Sequence, residues 1–123
     1  MSNCYCGNSI PFQDCCEPYI KGITNAPTAK KLMRSRYSAF ATGAADYLVN
    51  TNHISKRRYH NKKDILAWSQ ANKWLKLEVL ASTETTVTFK AYYLDENLNA
   101  QVQYEHSTFK LENDKWFYVD GEY

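Results

Sequence analysis

Every cysteine in the chain falls within its first sixteen residues, as Cys4, Cys6, Cys15 and Cys16 in a C-x-C-x8-C-C array. Four thiols confined to so short a stretch cannot cross-link distant parts of a domain, which excludes a disulfide framework for the whole fold. A bridge between the adjacent Cys15 and Cys16 would demand strained geometry, because neighbouring residues do not present their sulfurs at the preferred dihedral. Tetrahedral zinc, by contrast, takes four thiolates at about 2.3 Å, and two close pairs joined by a loop can wrap one ion. The expected chemistry is therefore one structural zinc per chain, bound by all four cysteines. A thiol-exchange site would use a C-x-x-C spacing that is absent here. A catalytic zinc would keep an open position beside three protein ligands, whereas four cysteines close the shell. Gly7, directly after the second cysteine, suits a chain that folds back around a metal at positive φ.

The energetics of the segment agree. Residues 1–22 offer Tyr5, Ile10, Phe12, Tyr19 and Ile20 as their sizeable apolar side chains. Ordering about fifteen of these residues costs roughly 20 kcal/mol at ~1.5 kcal/mol each. Structural zinc contributes about 10–16 kcal/mol in small peptides, and docking of Phe12 and Tyr19 is expected to offset most of the remainder. Without metal the segment is expected to be disordered.

The elements that must position these groups follow from composition and periodicity. At 123 residues and 44% hydrophobic content, one domain with a real core is expected. No apolar run approaches the ~20 residues of a membrane span, and with Met1 to Asn3 leading straight into the cysteines no signal peptide is expected. A cytoplasmic location is expected, with the thiols kept reduced. Residues 17–26 read as a connector containing Pro18 and Gly22. A helix is predicted from Thr28 or Ala29 to Gly43, with Ala29, Leu32, Met33, Tyr37 and Phe40 at helical spacing. Arg36 falls inside that apolar stripe, while Arg34, Ser35 and Ser38 project away from it. A guanidinium in a core needs a carboxylate or a polar cavity.

A short second helix over residues 44–50 would face Tyr47 and Leu48 inward, with Asp46 near its start. Residues 51–63 are polar and carry Lys56, Arg57, Arg58, Lys62 and Lys63. Such a run suits an anionic partner such as RNA, although a solvated loop explains it more simply. Asn61 and Asp64 can cap a third helix through Ala71 that buries Ile65, Leu66 and Trp68. From Trp74 the period changes to two: Leu75, Leu77 and Val79 alternate with polar residues, as do Val87, Phe89, Ala91 and Tyr93. Turns at residues 82–85, 95–99 and 112–114 separate four strands. Helices followed by a meander predict α+β architecture, with helices on one face of an antiparallel sheet.

Strand alternation places Gln103, Glu105 and Ser107 on one face with Phe109 and Leu111, and Asp120 on one face with Trp116 and Tyr118. Glu105 or Asp120 is therefore predicted within hydrogen-bonding reach of Arg36. If such a site were catalytic, Asp46, His53, Glu105 or Asp120 would be its acid or base, Arg36 its cation, and Tyr37, Tyr47 and Tyr118 its donors. His53, just after a helix, has a local capping or pairing role as its simpler reading. A Gly-rich phosphate loop, a serine nucleophile elbow and a dinucleotide fingerprint are all absent.

The segment Cys4-Tyr5-Cys6-Gly7-Asn8-Ser9-Ile10-Pro11-Phe12-Gln13-Asp14-Cys15-Cys16 resembles the SEC-C motif, a small zinc-binding element found at the C-terminus of the SecA translocase. The likeness rests on the ligands, Gly7 and Phe12; Tyr5, Asn8 and Ser9 depart from the usual pattern. A longer resemblance, to the bacterial YchJ family, runs through Pro11-Phe12, Pro18-Tyr19, Ala26-Pro27-Thr28-Ala29 and the string Leu32-Met33-Arg34-Ser35-Arg36-Tyr37-Ser38-Ala39-Phe40. It continues at Asp46-Tyr47-Leu48, Thr51, His53, Glu105, Ser107, Phe109 and the closing Trp116, Tyr118, Val119, Asp120 and Gly121. Ile54 stands where the family often has proline, and one cysteine motif stands where many members carry two.

That resemblance implies a zinc motif over residues 1–24 and, over residues 25–123, a cone like nuclear transport factor 2 or the SnoaL cyclases, with about three helices closing a pocket on the sheet. The motif's likeness to that of SecA, which contacts a chaperone and ribosomes, implies a protein-interaction adaptor with a translocation or ribosome-associated partner. The cone implies the other class, a small-molecule binder or acid/base enzyme.

Overall fold

The structure, a computed structural model, describes residues 3–55 and 61–122. Among the described residues, a 3-10 turn at Phe12–Asp14 leads into four α-helices, α1 (Glu17–Ile20), α2 (Ala29–Thr42), α3 (Ala45–Asn50) and α4 (Lys62–Ala71). Four strands follow, β1 (Lys73–Ser82), β2 (Thr86–Leu94), β3 (Ala100–Glu112) and β4 (Lys115–Glu122), paired antiparallel in the order β1-β2-β3-β4. The α+β meander predicted from periodicity is thus present. The connector expected at 17–26 holds a helix, so the described residues carry four α-helices where about three were expected. Pro18 stands in the first turn of α1, where its missing N–H is one that a helix start leaves without an intrahelical partner anyway.

Local chemistry sets the helix ends. Thr28 accepts a hydrogen bond from the Lys31 backbone N–H at 3.1 Å and caps α2, which stops at Gly43. Asn61 caps α4 by accepting from the Asp64 N–H at 2.8 Å. Contrary to the helical projection, Ser35 and Ser38 are fully buried rather than turned to solvent. Helix α2 is enclosed because the cysteine segment covers the side that periodicity alone assigns to water. The core joins Cys4, Cys6 and Cys16 with Leu32, Met33 and Tyr37 of α2 and with Leu77, Val87, Phe89 and Phe109 of the sheet. Helix α4 is covered less than its pattern suggests, with Ile65 and Leu66 half-buried and Trp68 40% exposed.

Strand alternation is interrupted in two places that matter for the interior. In β1, Trp74 pairs with Tyr93 and Lys76 with Tyr92, leaving Leu75 as an extra residue. Trp74 thereby joins Leu77 and Val79 on the inward face, and Leu75, expected inside, is half-exposed. In β4, Tyr118 pairs with Phe109 and Asp120 with Thr108, so Val119 is the extra residue. Beyond it the phase inverts: Asp120 is exposed and Gly121 turns inward.

The chain leaving α3 runs beside β4, with the Tyr118 N–H donating to the Thr51 carbonyl and the His53 N–H to the Tyr118 carbonyl, both at 2.7 Å. A parallel bridge between Asn52 and Tyr118 results, covering part of an edge that would otherwise expose unpaired backbone groups. At Gly121 a Cβ would overlap the Glu105 carboxylate and lie 2.7 Å from the Tyr118 hydroxyl. Gly121→Ala is therefore expected to cost about 1–3 kcal/mol by overpacking. A thermal melt checks this, and an unchanged melting temperature would show that Glu105 and Tyr118 yield freely.

Candidate functional site

The four cysteine sulfurs all lie within 4.8 Å of one another. Cys6 and Cys15 are 3.8 Å apart and Cys15 and Cys16 3.9 Å, close to the ~3.8 Å sulfur separation that tetrahedral bonds of ~2.3 Å impose. The backbone makes this possible by turning twice. Gly7, at φ +90°, donates its N–H to the Cys4 carbonyl at 3.0 Å, and the Cys4 N–H donates to Ile10 at 2.8 Å. The 3-10 turn then delivers Cys15 and Cys16 to the same point, with the Cys15 N–H donating to the Phe12 carbonyl at 3.0 Å. Tyr5 and Phe12 pack edge to face across the loop.

Groups that stabilise negative charge surround the sulfurs. Arg34 donates through Nη1 to the Cys6 carbonyl at 2.9 Å and reaches the Cys6 sulfur at 3.8 Å. Asn8 donates through Nδ2 to the Cys15 sulfur at 3.6 Å, and the Ser38 hydroxyl lies 3.5 Å from the Cys4 sulfur. A hydrogen bond from Cys16 holds the Cys6 thiol down at about 4. Cys16 is in turn pushed far up by that same bond, and burial pushes Cys15 up to about 11. Without a cation, then, protons must shield some of these crowded sulfurs; four soft donors at tetrahedral spacing fit a metal ion in that role. The cluster can hold one ion with a closed shell.

A second site lies on the other side of α2. A cavity of about 450 Å³ opens between α2, α4 and the inward face of the sheet. Its walls are aromatic: Trp68 and Trp74 have ring centroids 5.0 Å apart, and Phe40 stands 5.6 Å from each. Its floor is polar. Glu105, only 5% exposed, accepts from Gln103 at 3.0 Å, from the Tyr118 hydroxyl at 3.1 Å and from the Ser107 hydroxyl. Arg36 donates to the Leu48 carbonyl at 2.9 Å and to the Thr51 hydroxyl at 2.6 Å, with its guanidinium 4.6 Å from the Tyr118 ring centre. Burial lowers Arg36 to about 10, against the opposing fields of Tyr118, Tyr47 and Glu105. It remains a cation at neutral pH.

The predicted pairing of Arg36 with Glu105 or Asp120 is not what the structure contains. Arg36 instead closes the C-terminal end of α3, and among the described residues neither carboxylate is within ion-pair distance of it. Glu105 is turned onto three uncharged donors, and the extra residue in β4 sends Asp120 outward. Of the five acid, base or cation candidates, Arg36 and Glu105 line the cavity. Asp46 is exposed and pairs with Lys62 at 2.9 Å. His53 bonds Glu112 at the end of β3 and Ser55 at 2.7 Å, so its partnering is long-range as well as local. Among the tyrosines, Tyr37 and Tyr118 line the cavity, whereas Tyr47 bonds Ser35 at 2.7 Å on another side of α2.

In the basic run, Lys56, Arg57 and Arg58 lie outside the described residues, while Lys62 and Lys63 begin α4. Arg34 and Ser38 are neighbours of the sulfurs that the amino-acid pattern did not assign there. One signal was readable: residues two apart on a helix face opposite ways, so Arg34 must lie across the helix from Arg36. Among the described residues no helix is long and apolar enough to cross a membrane.

Comparison with known proteins agrees with this architecture. A family model described as "YchJ, middle NTF2-like domain" matches residues 28–121. A UPF0225 protein of Photorhabdus laumondii is 38% identical over 125 residues, covering 96% of this chain and 79% of its own length. The UPF0225 protein YchJ of Shigella dysenteriae is 35% identical over 124 residues, covering 96% and 81%. The solution structure of a SEC-C motif containing protein from Rhodopseudomonas palustris superposes with a TM-score of 0.90 at 31% identity, covering 98% of both chains. A crystal structure of a SEC-C motif containing protein from Psychrobacter arcticus gives 0.80 at 28% identity, covering 98% of this chain and 81% of that one. With its cysteine motif seated on a nuclear transport factor 2-like domain, the chain belongs to the YchJ, or UPF0225, family.

Proposed function

We propose that this protein is a zinc-stabilised interaction module of the cytoplasm, in which the cysteine motif holds one structural zinc and presents a face to a protein partner. The observation that carries this reading is the closed quartet of sulfurs seated on α2. Four thiolates around zinc leave no position for water, so the metal organises rather than catalyses. Four thiolates and zinc carry a net double negative charge, and Arg34 supplies a nearby cation. The loop that the metal orders carries Tyr5, 52% exposed, and Ile10, 43% exposed. A tyrosine with one apolar face and one polar end is well suited to a protein interface. The partner suggested by the motif's likeness to that of SecA is a translocation or ribosome-associated protein.

Native mass spectrometry should return one zinc per chain, and stripping it with a strong chelator should lower the melting temperature by at least about 10 °C. A reduced, folded chain free of metal, melting at the same temperature, would rule the zinc out. Arg34→Gln should keep the fold but weaken zinc affinity about 10- to 100-fold, as loss of groups surrounding a metal's ligands commonly does. Competition with a chromogenic chelator measures this, and equal affinity would mean that the Arg34 contact merely anchors the loop.

The adaptor role is tested by affinity capture with the intact chain and with a Tyr5→Ala, Ile10→Ala variant that retains its zinc. The expected result is a ribosomal or translocation protein held by the first and lost from the second. Equal retention by both, or retention by neither, would refute it.

A further inference from the structure

Arg36 is 7% exposed and lines the cavity, yet its acceptors among the described residues engage one of its three nitrogens, Nη1. Arginine has five N–H donors in a fixed fork, and those on Nε and Nη2 meet no acceptor among the described residues. These two nitrogens form one edge of the guanidinium, with parallel N–H bonds suited to a bidentate carboxylate. Tyr118 covers one face of the same group. A cation taken this far out of water is costly unless a counter-charge reaches it. Glu105 lends its field but makes no hydrogen bond to the guanidinium, its carboxylate being held by Gln103, Ser107 and Tyr118.

The rest of the cavity limits what can supply that counter-charge. Its volume of about 450 Å³ lies within the roughly 300–1,000 Å³ of small-molecule pockets. Phe40, Trp68 and Trp74 make its wall aromatic. Among the described residues the lining carries one cation, Arg36, with two carboxylates, the buried Glu105 and the exposed Asp64 in the first turn of α4, which suits a singly charged ligand better than a phosphate dianion.

We propose that the cavity binds a small monocarboxylic acid with a flat, apolar body, its carboxylate taken by Nε and Nη2 of Arg36 and its body lying against Trp68 and Trp74. This site is separate from the metal quartet and from any partner of the cysteine loop, so it stands or falls independently of the adaptor role.

The test uses the intact, metal-loaded chain and two matched probes, 2-naphthoate and its uncharged isostere 2-naphthamide, followed through the indole N–H signals in two-dimensional NMR. Trp68 and Trp74 line the cavity, whereas Trp116 donates its indole N–H to the Pro27 carbonyl at 3.2 Å elsewhere and serves as an internal control. Trp68→Ala removes one signal and assigns it. The expected result is saturable shifts of the Trp68 and Trp74 signals alone, with naphthoate binding roughly tenfold or more tighter than naphthamide. Arg36→Lys should shrink that preference, because an ammonium keeps the charge but lacks the planar fork, and Trp68→Ala should weaken both probes alike. Equal binding of the two probes, no shift at millimolar naphthoate, or equal movement of Trp116 would each overturn the proposal. Because Arg36 also holds the end of α3, the ratio of the two probes in the unmodified chain decides the matter if the Arg36→Lys chain does not fold.

Discussion

Helix α2 is enclosed on both sides, and the rest of the molecule is arranged to satisfy the polar groups that this enclosure buries. Arg34 and Arg36 stand two residues apart, about 200° around the helix, and point to opposite sites: one to the sulfur cluster, the other to the cavity floor. Ser35 donates to the Leu32 carbonyl and bonds the Tyr47 hydroxyl, while Ser38 meets the Cys4 sulfur. Each buried polar group on this helix thus draws a different neighbour into place. The helix is the wall between the two sites.

That arrangement makes the cysteine motif part of the core rather than an appendage. Cys4, Cys6 and Cys16 belong to the same buried cluster as Leu32, Met33 and the inward side chains of the sheet. A motif with so few apolar residues of its own cannot hold this position by burial alone. Metal ligation, as proposed for the four sulfurs, would reinforce docking: an ion held there would order the loop, and the loop covers the face of α2 that Ser38 and Arg34 occupy.

On the opposite side, two single-residue irregularities select what the cavity contains. The extra residue at Leu75 brings Trp74 inward to meet Trp68 and Tyr37, with the Tyr37 ring 5.9 Å away. The extra residue at Val119 removes Asp120 from the interior and replaces it with Gly121, whose missing side chain leaves room for the Glu105 carboxylate and the Tyr118 hydroxyl. A strand with unbroken alternation would have put a second carboxylate there. Because the side-chain period of a strand is two, one inserted residue reverses every assignment beyond it.

The cysteine array, the start of α2 near Thr28 and its end at Gly43, the cap at Asn61 and the three turns of the meander were all legible in the amino-acid sequence, since each depends on groups within a few residues of one another. The inward placement of Val87, Phe89, Ala91, Glu105 and Ser107 was legible for the same reason, because β2 and the central part of β3 keep their alternation. Only the tertiary structure decided the rest. Whether Ser35 and Ser38 face water depends on what packs over α2 from the N-terminal segment and α3. Where Arg36 sends its hydrogen bonds depends on where α3 ends. Which of Asp120 and Gly121 enters the interior depends on a one-residue offset between β3 and β4. These are outcomes of contacts between distant segments, and no local pattern of residues encodes them.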